Sequence, residues 1–283
     1  MTVVMAGCGD LGTETGLRLA ALGHRVMGLR RSSAKLPPPI EGQSVDLSTE
    51  VPTLPADTDI VVIAISPDER SVEGYRAAYV HSVRRVTTAI QRDCTVLPRV
   101  LFVSSTATYG VSDGSWVDEC TPAEPTAPTA VVLREAEEAL LERIPGATIL
   151  RLAGIYGPGR TRLIDRVRDG VQPVSDQPEF VNLIHRDDAA AAVVHLMTRQ
   201  DGPETVYIGV DDNPVDRREI IEYLSARLEL PVPVAAPAPI GTEHRRGKRC
   251  RNTRLRESGF VFTYPTYREG YAALLHDTGV RHL

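Results

Sequence analysis

The chain has 283 residues, 42% hydrophobic and 24% charged, with a formal net charge of -5 and a mean hydropathy of -0.14. This is the balance of a globular protein and excludes a disordered or fibrous one. No apolar run approaches the roughly 18 residues of a membrane span, and the acidic balance gives no support to general nucleic-acid binding. Of the 32 basic residues only Lys35 and Lys248 are lysine; the others are arginine. The opening MTVVMAGCG lacks the basic and long apolar segments of a secretory signal, so a cytoplasmic location is expected. Cys8, Cys94, Cys120 and Cys250 are scattered with no CxxC and read as free thiols of a reducing compartment.

In chain order, TVVMA (2–6) is a short apolar strand, followed by a glycine turn and a helix carrying Leu11, Leu19 and Leu22 near helical spacing. HRVMGL (24–29) reads as a second strand, residues 43–45 as a short third and DIVVIAI (59–65) as a buried fourth. Residues 68–92 form a helix with Tyr75, Tyr79, Val83, Val86 and Ile90 on one stripe. RVLFV (99–103) and ATILRL (147–152) are further buried strands around a helix over 131–143. Strands alternating with helices predict an α/β fold: a Rossmann-type, doubly wound parallel sheet. Beyond residue 155, Pro and Gly punctuate the chain, and PVPVAAPAPIG (231–241) reads as a connector, with helices recurring at 187–197, 216–228 and 267–275.

Gly7-Cys8-Gly9-Asp10-Leu11-Gly12 is a GxGxxG between the first strand and first helix. The first glycine permits the tight turn, the second lets a pyrophosphate approach the backbone, and the third lets helix pack on strand, while the helix N-terminus offers N–H groups and partial positive charge. After the second strand, where an NAD site carries a carboxylate for the ribose hydroxyls, stand Arg30, Arg31 and Ser32. Two guanidiniums and a hydroxyl suit a 2'-phosphate, so NADP(H) is the expected cofactor; the competing reading is a solvated strand end. Asp46 and Leu47 are candidates for the adenine edge, and Ile65 and Ser104, near the ends of two later strands, complete the candidate cofactor set.

GCGDLG, FVSSTATYG (102–110), ILRLAGIYGPGR (149–160) and NLIHRDDAAAAVVHLM (182–197) together resemble the extended short-chain dehydrogenases/reductases of the NAD(P)-dependent epimerase/dehydratase group. The resemblance spans nearly the whole chain and includes VYIGVDDNPVDRREII and TYPTYREG. It implies an NADP-binding part over 1–155 and a smaller, mainly substrate-binding part over 156–283, with segments near 182–210 returning to the first. It also implies that Ser105, four residues before Tyr109, hydrogen-bonds the reacting oxygen, and that Tyr156 lies on the substrate side.

Two departures from the family pattern bear on mechanism. Thr106 and Ala107 stand where dehydratases of the group carry acidic residues, which argues against sugar dehydration. The Tyr-x-x-x-Lys pair of the group aligns with Thr129 and Leu133, and no tyrosine lies between Tyr109 and Tyr156. The chain is thus similar to atypical extended members. Tyr109 is the candidate substitute donor; Arg134 follows the lost lysine but cannot act as an acid. His185 and Asp188 read as structural.

Seven cations lie between Arg245 and Arg256. A phosphate-binding edge of the substrate cleft, with Arg249 and Arg251 as contacts, competes with a solvated face; the lack of interleaved aromatics disfavours nucleic acid. No metal-ligand spacing, GxSxG elbow or P-loop is present. The expectation is an NADP(H)-dependent oxidoreductase or epimerase acting on a carbonyl, imine or alcohol carbon of a small substrate, with a homodimer possible and no nucleic-acid or membrane partner. The alternative is a redox-silent NADP(H)-binding sensor.

Overall fold

A computed structural model describes residues 1–171, 174–236, 246–276 and 279–282. Seven strands form its central sheet: β1 (Thr2–Ala6), β2 (Arg25–Arg30), β3 (Ile40–Ser44), β4 (Thr58–Ile63), β5 (Arg99–Ser105), β6 (Thr148–Leu152) and β7 (Val206–Gly209). They lie in the order β7-β6-β5-β4-β1-β2-β3, and every adjacent pair is parallel. The chain leaves β1 in one direction and resumes at β4 in the other, so a crevice opens beyond the carboxyl ends of these two strands, where ligands of doubly wound sheets bind.

A parallel sheet covered on both faces needs strands that are apolar on both sides, and all five residues of β1 are buried. Val3 and Met5 pack into a core shared with α1 (Asp10–Ala21) and the helix Arg186–Thr198. Val4 and Ala6 pack into the opposite core, under the continuous helix 72–93 and the helix Pro128–Arg143. The expected stripe of helix 72–93 joins that core, and the helix widens to π-type winding at Arg76–His81. Pro128 opens its helix at the first turn, where a missing N–H costs no bond.

The observed strands differ from the expected bounds by a few residues, as β3 does at 40–44 in place of 43–45. A second, four-stranded sheet of Val215–Asp216, Phe180–Val181, Gly247–Cys250 and Asp113–Val117 stands beside the carboxyl end of β5. Ala235–Ala236 of the proline-rich connector pair with Val174–Ser175; its residues 237–241 lie outside the described residues, as does Arg245 of the basic run.

Candidate active site

Two cavities open at the carboxyl ends of the strands. The first, of about 600 Å³, is bounded by the turn Gly7–Gly9, the end of β2, the segment 45–48 and the loop 64–69 after β4. Gly7 adopts φ +99°, and a Cβ there would lie 2.6 Å from the Ala64 carbonyl oxygen. At Gly12 a Cβ would lie 2.1 Å from the Gly7 carbonyl oxygen, so the first turn of α1 packs this closely on the loop only with glycine. A Cβ at Gly9 would meet nothing within 4 Å. Gly9 is also the N-cap of α1 and provides no side-chain cap, which leaves first-turn N–H groups for an anion.

Arg30, Arg31, Ser32, Asp46, Leu47 and Ile65 of the expected cofactor set line this cavity. Arg31 makes a bidentate pair with Asp68 (2.6 and 2.8 Å). Both side chains are largely exposed, so the pair contributes little and a phosphate can compete for the guanidinium. Asp46 takes the Ser48 hydroxyl (2.6 Å) and backbone N–H (2.9 Å), and these bonds hold its carboxyl below the usual range.

Four expected cofactor residues, Asp10, Leu11, Gly12 and Ser104, line neither cavity. Asp10 is buried beneath the turn, where Arg160 (2.8 Å), Arg186 (2.9 Å) and the His282 N–H (3.2 Å) bind its carboxylate. Leu11 belongs to the core. Ser104 is buried and donates to Glu137 at 2.5 Å. Glu137 is fully buried and takes both nitrogens of a fork from Arg151 (3.0 and 2.6 Å), with Arg134 at 3.0 Å. Arg134 therefore serves an ion pair. The sequence signal for this cluster is a pair of opposite charges at core positions, Arg151 within an apolar strand and Glu137 on the inner face of a helix.

The second cavity, of about 480 Å³, is lined by Ser105, Thr106 and Ala107, by Gly154, by residues 180–183, and by Arg217, Gly247 and Lys248. Ser105 Oγ accepts the Ala107 N–H at 3.1 Å. Asn182 fixes the strand carrying Lys248: its amide donates to the Lys248 carbonyl (2.9 Å) and its oxygen accepts from the Cys250 N–H (2.7 Å).

Tyr109, Thr129, Tyr156, Arg249 and Arg251 line neither cavity. Tyr109 packs with Val117, Ile208, Val210 and Cys250, Arg151 lies over its ring at 4.8 Å, and burial pushes its phenol up to about 12. Thr129 sits in the first turn of its helix, and Leu133 is in the core. Tyr156 stacks on Tyr271 with ring centroids 4.7 Å apart, and its phenol is likewise raised by burial. Arg249 donates to the Gly114 carbonyl (2.7 Å) and lies between the rings of Trp116 and Phe180, which Arg251 shares on the Trp116 side. These arginines brace the second sheet. His185 caps the helix Arg186–Thr198 through the Asp187 N–H (3.2 Å), and Asp188 receives the N–H groups of Thr263 and Tyr264.

Sequence reasoning missed Lys35 and Lys248, which line the first and second cavities respectively. Lys35 follows the Arg30-Arg31-Ser32 segment closely enough to be legible; Lys248 reaches its cavity only through the second sheet.

The sequence pattern of the NAD dependent epimerase/dehydratase family matches residues 3–209. The chain belongs to this family. It is 29% identical over 282 aligned positions to Protein YeeZ of Escherichia coli (strain K12), an alignment covering 93% of this chain and 96% of that protein. A Methylobacillus flagellatus protein classed by name with the NAD-dependent epimerases/dehydratases superposes with a TM-score of 0.80, at 33% identity over 97% of each chain. The human epimerase family protein SDR39U1 (isoform 2), solved with NADPH, shares the fold at 18% identity, with a TM-score of 0.80 over 98% of this chain and 100% of that one.

Proposed function

We propose that this family member is an NADP(H)-dependent oxidoreductase or epimerase that moves hydride to or from a carbonyl, imine or alcohol carbon of a small substrate. The observation that carries the reading is that Arg30, Arg31, Ser32 and Lys35 all line the first cavity. Three cations and a hydroxyl at the end of β2 suit a 2'-phosphate, whereas an NAD site places a carboxylate there. The open approach at Gly9 fits a pyrophosphate, because nothing in the protein itself excludes a side chain at that position.

When bound, the nicotinamide supplies or accepts the hydride. Ser105 has filled an acceptor site with the Ala107 N–H, so its hydroxyl proton remains to polarise a substrate oxygen. Neither Thr106 nor Ala107 can take an α-proton near neutral pH, which argues against dehydration. Thr129 and Leu133 offer no acid pair. In this reading residues 1–155 hold the cofactor and residues 156–283 mainly enclose the substrate.

The second cavity, where Ser105, Asn182, Arg217 and Lys248 stand among apolar residues, favours an enzyme over a redox-silent sensor, which has less use for a substrate site. The test is NADPH oxidation by the full chain with a panel of carbonyls and imines. Turnover that Ser105→Ala suppresses supports the reading. NADPH binding without turnover or hydride exchange on any compound identifies the sensor.

A further inference from the structure

The reading above leaves the proton unassigned, because Tyr109 lines neither cavity and Leu133 is core. The polar residues lining the second cavity are Ser105, Thr106, Asn182, Arg217 and Lys248. Hydroxyls and the amide do not release a proton near neutral pH, and a guanidinium keeps its charge throughout. A desolvated lysine can release one. We propose that Lys248 is the general acid of this site in the reducing direction, and the general base in the reverse, acting in the cavity that Ser105 also lines. The proposal rests on the oxidoreductase reading.

Lys248 Nζ donates to the Tyr109 carbonyl oxygen at 2.8 Å, which uses one of three donors and leaves two for a ligand. Asn182 holds its strand at the Lys248 carbonyl and, two residues on, at the Cys250 N–H. Burial pushes its ammonium below the ordinary lysine value. The charged groups around it leave that shift in place. Arg217, in the same cavity, is paired with Glu179 (2.8 Å), and the Cys250 thiol is pushed up to about 12 by burial and stays neutral. Asp113, on the adjacent strand, takes the Ser115 N–H (2.9 Å), Glu119 takes that of Ile208 (2.9 Å), and Arg249 is bound to Gly114.

In the reduction of a carbonyl, a reduced nicotinamide provides the hydride that makes the new C–H bond and is itself oxidised. The O–H bond forms as a Lys248 N–H bond breaks, and the neutral amine regains its proton from water.

The test exploits the presence of only two lysines. Full-length protein labelled with carbon-13 at lysine Cε gives two resonances, assigned with Lys35→Arg and titrated without substrate. A Lys248 midpoint below the free-lysine value of about 10.4 supports the proposal; a midpoint at or above that value overturns it. In NADPH oxidation with the carbonyl panel, Lys248→Met and Lys248→Arg should each lower kcat by about 10² to 10⁴-fold. Both should abolish the fall in kcat at alkaline pH and keep wild-type NADPH affinity. Lys248→Arg retains the charge and a donor for the Tyr109 carbonyl, so it guards against a folding effect. Wild-type kcat in Lys248→Arg overturns the lysine role alone. A wild type that reduces nothing removes the oxidoreductase reading, and the proposal with it.

Discussion

Gly9 and Gly12 stand in one turn and are glycine for different reasons: a Cβ at Gly12 would lie 2.1 Å from the Gly7 carbonyl oxygen, whereas one at Gly9 would meet nothing within 4 Å. The first constraint belongs to the fold and the second to a ligand. Gly12→Ala should destabilise the chain by about 1–3 kcal/mol through overpacking. Gly9→Ala should stay within about 1 kcal/mol of wild type and lose NADPH affinity by about tenfold or more. Denaturant unfolding and cofactor titration of the two variants separate these effects.

Ser105 lines the second cavity and Tyr109 does not. Ser105→Ala should lower kcat by about 10²-fold with little change in KM, the pattern of a donor acting on developing charge. Tyr109→Phe should leave kcat within about twofold. Steady-state kinetics on the best carbonyl of the panel decides both, and a large loss in Tyr109→Phe would restore Tyr109 as the proton donor.

Arg151 and Glu137 form a bidentate pair with both side chains almost wholly buried. Removing one partner strands a buried charge, so Glu137→Ala should cost about 3–5 kcal/mol. Replacing both with methionine should recover much of that loss. Chemical denaturation of the single and double variants measures the difference.

Asp211 is buried with one carboxyl oxygen lacking a partner, and burial raises its pKa to about 8. The unfolded chain ionises it near 4. Between these values the folded chain holds a proton that the unfolded chain has released, so this residue's contribution lowers stability as pH rises through that window. Asp211→Asn should remove this component. Unfolding free energies of wild type and variant from pH 5 to 8 should converge at the acid end and diverge toward the alkaline end.

The central sheet was legible because its strands are continuous apolar runs and its helices have clear stripes, and the glycine turn sits where both patterns meet. The second sheet was not: Phe180–Val181 and Val215–Asp216 are two-residue strands, too short for any period to register. That sheet brings Lys248 to the cavity of Ser105, so the lysine's position depended on topology invisible along the chain. Arg249 and Arg251 were read for their charge, but neighbouring aromatic rings and a backbone carbonyl settle where they lie. Asp10 looked like part of a phosphate turn because its partners, Arg160, Arg186 and His282, come from distant segments.

Whether the cofactor cleft is built for a 2'-phosphate is decided by calorimetric titration of NADPH and NADH into wild type and an Arg30→Ala/Arg31→Ala variant. At low salt, NADPH should bind wild type about tenfold or more tightly than NADH, with the preference shrinking as salt rises and lost in the variant. Equal affinities in wild type, tighter binding of NADH, or a preference that survives in the variant would show that these arginines do not select a 2'-phosphate.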